Sequence, residues 1–223
     1  ARPLDGEGAH NHAAVIEALA ARAFVHAPRP LAFVAGYVVE EWVPGLTALA
    51  VVPPPGSFEA AVDAIAAVHA LDLREGLRWE SEPAALLPPG EFPLHRLGFA
   101  AHERERARAP LDAVRAAIAA SPHGFVHGNA SAGHLLFAPG RVVLTGWHCA
   151  GFGPKLLDVA AFLATCGADA GQRRELAARY ARARALEVFA TVDLVDAATA
   201  WWGLHELLLV PRRQVEALGD EGA

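Results

Sequence analysis

The chain has 223 residues, a mass of 23.5 kDa, 53% hydrophobic residues and a formal net charge of −6, enough to bury one core or two lobes about a cleft without staples. Its basic residues are 18 arginines and Lys155, scattered rather than blocked, which argues against nucleic acid as a partner. No stretch approaches ~20 uninterrupted apolar residues, and the start ARPLDGEGAHNHAAV lacks the apolar core of a secretory signal. No membrane partner and a cytoplasmic location are therefore expected.

In chain order, Val15, Ile16, Leu19 and Ala23 recur at helical spacing over 11–24, with Asn11 placed to cap the helix. The residues before it show no strand character. After Pro28 and Pro30, the β-branched and aromatic stretches 31–34 and 37–43 flank Ala35-Gly36 and predict a hairpin that ends at Pro44-Gly45. Following the prolines at 53–55, Ser57 can cap a helix whose apolar face carries Phe58, Ala61, Val62, Ile65 and Val68. Residues 78–94 hold four prolines and read as a long loop containing Glu80, Glu82 and Glu91. A helix over 111–120 would place Pro110 at its first turn.

The segment 124–145 differs in kind, with a short strand, a polar loop and a hairpin turned at Pro139-Gly140. Beyond Pro154, helices are expected near 155–166, 171–190 and 192–209. The last carries Trp201 and Trp202, expected in the core with one of them half-buried, and the polar pair His205 and Glu206. Cys149 and Cys166 spell no disulfide framework and suit a reducing compartment.

The run FVHGNASAGHLLFAPGRVVLTGWHCAGFGPKLLDVAAFL resembles the catalytic region of the aminoglycoside phosphotransferase-like family, which also holds choline, homoserine and maltose kinases. VVEEWVPG at 38–45 is similar to that family's hinge, and AVHALDL at 67–73 to its A-x-L-H-x-L-D pattern. The resemblance implies an α+β, protein-kinase-like two-lobed fold. A reduced small lobe of residues 1–45 would join a mainly helical lobe of 46–223 that carries the catalytic-loop-like segment 125–148. It also implies ATP and magnesium as cofactors, with the hinge backbone at Glu41, Trp42 and Val43 as the adenine reader.

The reactive positions depart from that pattern. Asn129 stands where the family has its proton-accepting aspartate, His134 where it has a magnesium-binding asparagine, and Gly146 where it has the second metal aspartate. An amide takes no proton at neutral pH, and an imidazole suits a hard ion poorly. The family's phosphate-pairing lysine has no counterpart in the small lobe, since Lys155 lies past the catalytic segment, and no glycine-rich strand-turn-strand precedes residue 11. The scaffold persists: His127, Gly128, Trp147 and Asp158 match, the last as the residue that in relatives braces the loop.

The expectation is thus a catalytically degenerate protein without a cofactor that binds a small molecule or a protein. The alternative is an active small-molecule phosphotransferase with a non-standard centre. His134 and His148, with Cys149 adjacent, are weak candidates for a metal, because two imidazoles fall short of the usual ligand count and the side chains of residues 148 and 149 would diverge on a strand. A thin small lobe with an open 31–43 hairpin invites pairing into a homodimer.

Overall fold

A computed structural model describes residues 2–3, 7–34, 37–47, 53–73, 94 and 98–219. The alanine-rich N-terminal pattern forms α1 (Glu7–Ala21), which begins earlier than Asn11. Asn11 therefore sits inside the helix rather than capping it, and its amide is used elsewhere. Strands β2 (Pro30–Val34) and β3 (Tyr37–Glu40) pair antiparallel with Val34 opposite Tyr37, so the hairpin is present; its Ala35-Gly36 turn lies outside the described residues. The expectation of no strand before residue 11 is corrected by β1 (Arg2–Pro3), which pairs with β3 and gives the order β1-β3-β2. Two residues are too few to leave a period-2 signature.

Strand β4 (Leu46–Thr47) crosses to a second sheet with β6 (Leu135–Ala138) and β7 (Arg141–Leu144). The β6–β7 turn is the expected Pro139-Gly140, and Gly140 supplies the left-handed backbone at φ 78. A third pair joins β5 (His123–Val126) to β8 (Gly151–Pro154), which lacks strand-like composition and was not legible in the sequence. All described pairings are antiparallel.

Helix α2 (Ser57–Val68) starts after Gly56, so Ser57 is its first residue rather than its cap. Helix α3 (Ala101–Ala120) begins ten residues before the expected boundary and contains Pro110. The run Glu103–Ala109 consists of strong helix formers, Pro110 is exposed, and Glu103 accepts a 2.7 Å bond from the Ala100 N–H at the helix start. The prolines of 78–94 and Glu80, Glu82 and Glu91 lie outside the described residues.

Helices α4 (Leu156–Thr165), α5 (Ala170–Ala183) and α6 (Val188–Gly219) complete the chain, and α6 packs on both α4 and α5. One continuous core runs from Val15, Ile16 and Leu19 of α1 through Ile65 of α2, Trp147 and Phe162 to Tyr180 and Val195. A smaller cluster holds Ile118, Leu157, Trp201 and Trp202. Both tryptophans are buried, at 2% and 7% exposure, so neither is the half-buried one expected. No helix among the described residues is long and apolar enough to cross a membrane.

Candidate functional site

The polar loop leaves β5 at His127 and returns into β6 through a single 3₁₀ turn, Ala132–His134. Its shape is set from behind by Asp158, in the first turn of α4. One Asp158 oxygen accepts the His127 N–H at 2.7 Å and the other accepts the Gly128 N–H at 2.9 Å. His69, the first residue past α2, lies 3.1 Å from the same carboxylate through Nε2 and 2.8 Å from the Tyr180 hydroxyl through Nδ1.

Burial holds the His69 ring below its ordinary pKa, so it is neutral. Nε2–H then donates to Asp158 and Nδ1 accepts from Tyr180. Burial would raise the Asp158 carboxyl, but the bonds from His69 and the loop outweigh it and keep the group ionised. Tyr180 is pushed upward by burial and stays a donor. His69 belongs to the AVHALDL pattern at 67–73. Nothing in the sequence signals Tyr180 as its partner, 111 residues away.

His127 is fully buried beside Trp147, with ring centroids 4.5 Å apart, and Nε2 donates to the Thr145 carbonyl at 3.0 Å. Burial pushes its pKa down to about 4. Gly128 is held at φ 79, where a Cβ would stand 2.0 Å from the Cys149 carbonyl oxygen, so the turn admits only glycine.

Asn129, His134 and Gly146 come together. The Asn129 amide donates to His134 Nε2 at 3.2 Å. Gly146, at φ 79 and ψ 47, lies against the other side of that imidazole, and a Cβ there would meet His134 Nδ1 at 2.7 Å and Cε1 at 2.9 Å. The ring thus occupies the space a side chain at 146 would need. His148 and Cys149 do not sit on a strand as expected; they belong to the single turn Trp147–Cys149. The His134 and His148 rings meet edge-to-face at 6.2 Å.

Helix α1 closes onto this turn. Asn11 donates to the carbonyls of His148 at 3.2 Å and Ala150 at 2.8 Å, and buried His12 contacts Glu40 at 3.0 Å. Both carboxylates of the expected hinge are partly buried and paired. Glu41 joins Arg29 and Arg141, each at 2.9 Å, and those partners outweigh the upward push of burial to hold its pKa low. The Glu41 N–H is taken by the Arg29 carbonyl at 2.9 Å, Trp42 is 89% exposed and Val43 is buried. A cavity of about 790 Å³ between the start of α2 and the face of α5 shares no residue with the 127–134 loop.

A model of the phosphotransferase enzyme family matches residues 2–195. The chain belongs to this family. Solved structures agree on the fold. A macrolide 2'-phosphotransferase from Brachybacterium faecium is 18% identical at TM-score 0.63, over 92% of this chain and 78% of that one. An aminoglycoside-3'-phosphotransferase of type VIII is 20% identical at TM-score 0.60, covering 89% and 83%. A choline/ethanolamine kinase family protein from Mesorhizobium loti is 18% identical at TM-score 0.57, covering 89% and 71%. No curated protein matches the sequence. The α+β, kinase-like architecture expected from the motifs is the one these neighbours share.

The residues present do not fit the magnesium that the phosphotransferase motif implies. The three positions offer one amide oxygen, one imidazole and no side chain, with no carboxylate among them, whereas magnesium demands oxygen donors. Asp158, the buried acid nearby in sequence, is committed to two backbone N–H groups and His69. Among the described residues no group of three or more His, Cys, Asp or Glu is arranged to hold a metal ion.

Proposed function

We propose that this chain is a catalytically degenerate member of the phosphotransferase family, which keeps the loop scaffold without magnesium-nucleotide chemistry and acts by binding a small molecule or a protein. The observation that carries the reading is the His134 imidazole lying against Gly146, where any Cβ would come within 3 Å of the ring. The loop brace of Asp158, His69 and Tyr180 is complete, so the departures fall on the groups that would bear charge in phosphoryl transfer and not on those that shape the loop. Loss of such electrostatic groups typically costs ~10²–10³ in rate for each one.

For a protein partner, the accessible element is the β2 edge. Leu31, Phe33 and Val34 are 63%, 47% and 55% exposed, while β1 covers the far edge of β3. A second copy pairing along β2 is the form of homodimer this favours, narrower than the whole 31–43 hairpin. Sedimentation across a concentration series checks it, and a monomer at every concentration removes it.

The catalytic reading is tested by phosphate transfer from radiolabelled ATP with magnesium to an aminoglycoside, a macrolide, choline and ethanolamine. No transfer above the protein-free control is expected, and turnover on any of them overturns the proposal.

A further inference from the structure

Beside the loop brace, a second feature concentrates charge with no role in the site above. A cavity of about 40 Å³ is lined by Pro122, Lys155, Leu156, Tyr180, Arg184 and Leu186. Two of the six are cations and, among the described residues, none is an acid.

Lys155 is anchored through its side chain and Arg184 through its backbone. The stem of Lys155 crosses Gly124 so closely that a Cβ there would lie 2.1 Å from Cε. Lys155 Nζ donates to the His69 carbonyl at 2.9 Å, which leaves two of its three N–H bonds to direct elsewhere. Arg184 follows α5, and its own N–H is tied to the Tyr180 and Ala181 carbonyls at 3.0 and 3.2 Å.

The ammonium is held below its ordinary pKa by burial first and by Arg184 second, so the two charges feel each other. The acid acting on the ammonium is exposed Asp72, which favours the charged lysine; Asp158 acts on Tyr180 of the same lining, and its oxygens are taken up by the loop and His69.

We propose that this cavity is a binding site for a small monovalent anion of halide size, held between Lys155 Nζ and the Arg184 guanidinium. An anion there replaces a like-charge repulsion with two charge-assisted contacts. The volume sets the class, since ~10–15 Å³ of such space holds one water. About 40 Å³ suits a halide with a water better than a nucleotide phosphate or an organic sulfonate. The site would also couple to the loop, because Lys155 holds the backbone of His69 and His69 holds Asp158.

The test compares melting curves in sodium chloride and in sodium isethionate at matched ionic strength, beside ³⁵Cl NMR linewidths. The expected result is a chloride-specific rise of at least ~2 °C between about 10 and 300 mM, with excess chloride broadening. Both should vanish in Arg184→Gln, which leaves the Lys155 stem on Gly124 undisturbed, and in Lys155→Gln if that variant folds. Coincident chloride and isethionate curves for the native chain would overturn the proposal. So would a chloride effect that persists in Arg184→Gln.

Discussion

Replacing Gly146 by alanine probes how the loop accommodates His134. The backbone there has φ 79, and a left-handed conformation costs a residue with a Cβ ~1–2 kcal/mol. The new methyl would also stand 2.7–2.9 Å from the His134 ring, forcing a shift of the kind that costs ~1–3 kcal/mol in packed sites. Gly146→Ala should therefore lose about 2–5 kcal/mol in urea denaturation. Gly140→Ala separates the two contributions, because Gly140 has φ 78 but nothing within 4 Å of a Cβ, and should lose only the backbone part. In a His134→Ala background the steric part disappears, which gives a coupling of about 1–3 kcal/mol in the double-mutant cycle. The reasoning fails if Gly146→Ala costs no more than Gly140→Ala, or if its cost is unchanged without the imidazole.

Three further outcomes are expected. Because the buried His127 has a folded pKa of about 4 against an ordinary 6.5, the unfolded chain binds its proton first as pH falls through 6.5. Stability should therefore drop between pH 6.5 and 4, by roughly 3 kcal/mol from this group, and His127→Gln should flatten that slope in pH-dependent urea melts. His69 shifts in the same direction, whereas the lowered Asp158 carboxyl withdraws its stabilisation only below its ordinary 3.8, as pH falls through its folded value. Tyr180→Phe removes the hydroxyl that donates to His69 and should cost about 1–3 kcal/mol by leaving a buried ring nitrogen unpaired; a neutral effect would contradict the tautomer assigned to His69. Glu41→Gln breaks the links to Arg29 and Arg141, but with Arg29 74% exposed the loss should be only ~1 kcal/mol, and a loss above ~3 kcal/mol would mean that the hinge depends on this carboxylate.

The loop and its turn were legible because their residues are contiguous and their chemistry is local: His127-Gly128, the hairpin at Pro139-Gly140 and the missing carboxylates at 129 and 146 can all be read in one pass. What fills the gap was not legible. That His134 lies on Gly146 depends on a left-handed backbone twelve residues further on, and only coordinates show it. His69 from the end of α2, Asp158 from α4 and Tyr180 from α5 meet across the chain, so no spacing rule connects them. The start of α3 was hidden by Pro110, whose local meaning as a helix opener was overridden by the helix-forming residues before it and by its exposed position. Strands β1 and β8 escaped notice because two residues and a GFGP run carry no alternation to detect. Nothing near Glu40 and Glu41 in sequence signals their partners, which come from α1, from the residue before β2 and from β7.

Catalytic degeneracy, as proposed, requires that residues 129, 134 and 146 do not hold a magnesium nucleotide. Isothermal calorimetry with millimolar ATP, with and without magnesium, tests it most directly. No heat that depends on magnesium is expected, and micromolar ATP binding that requires the metal would overturn the proposal.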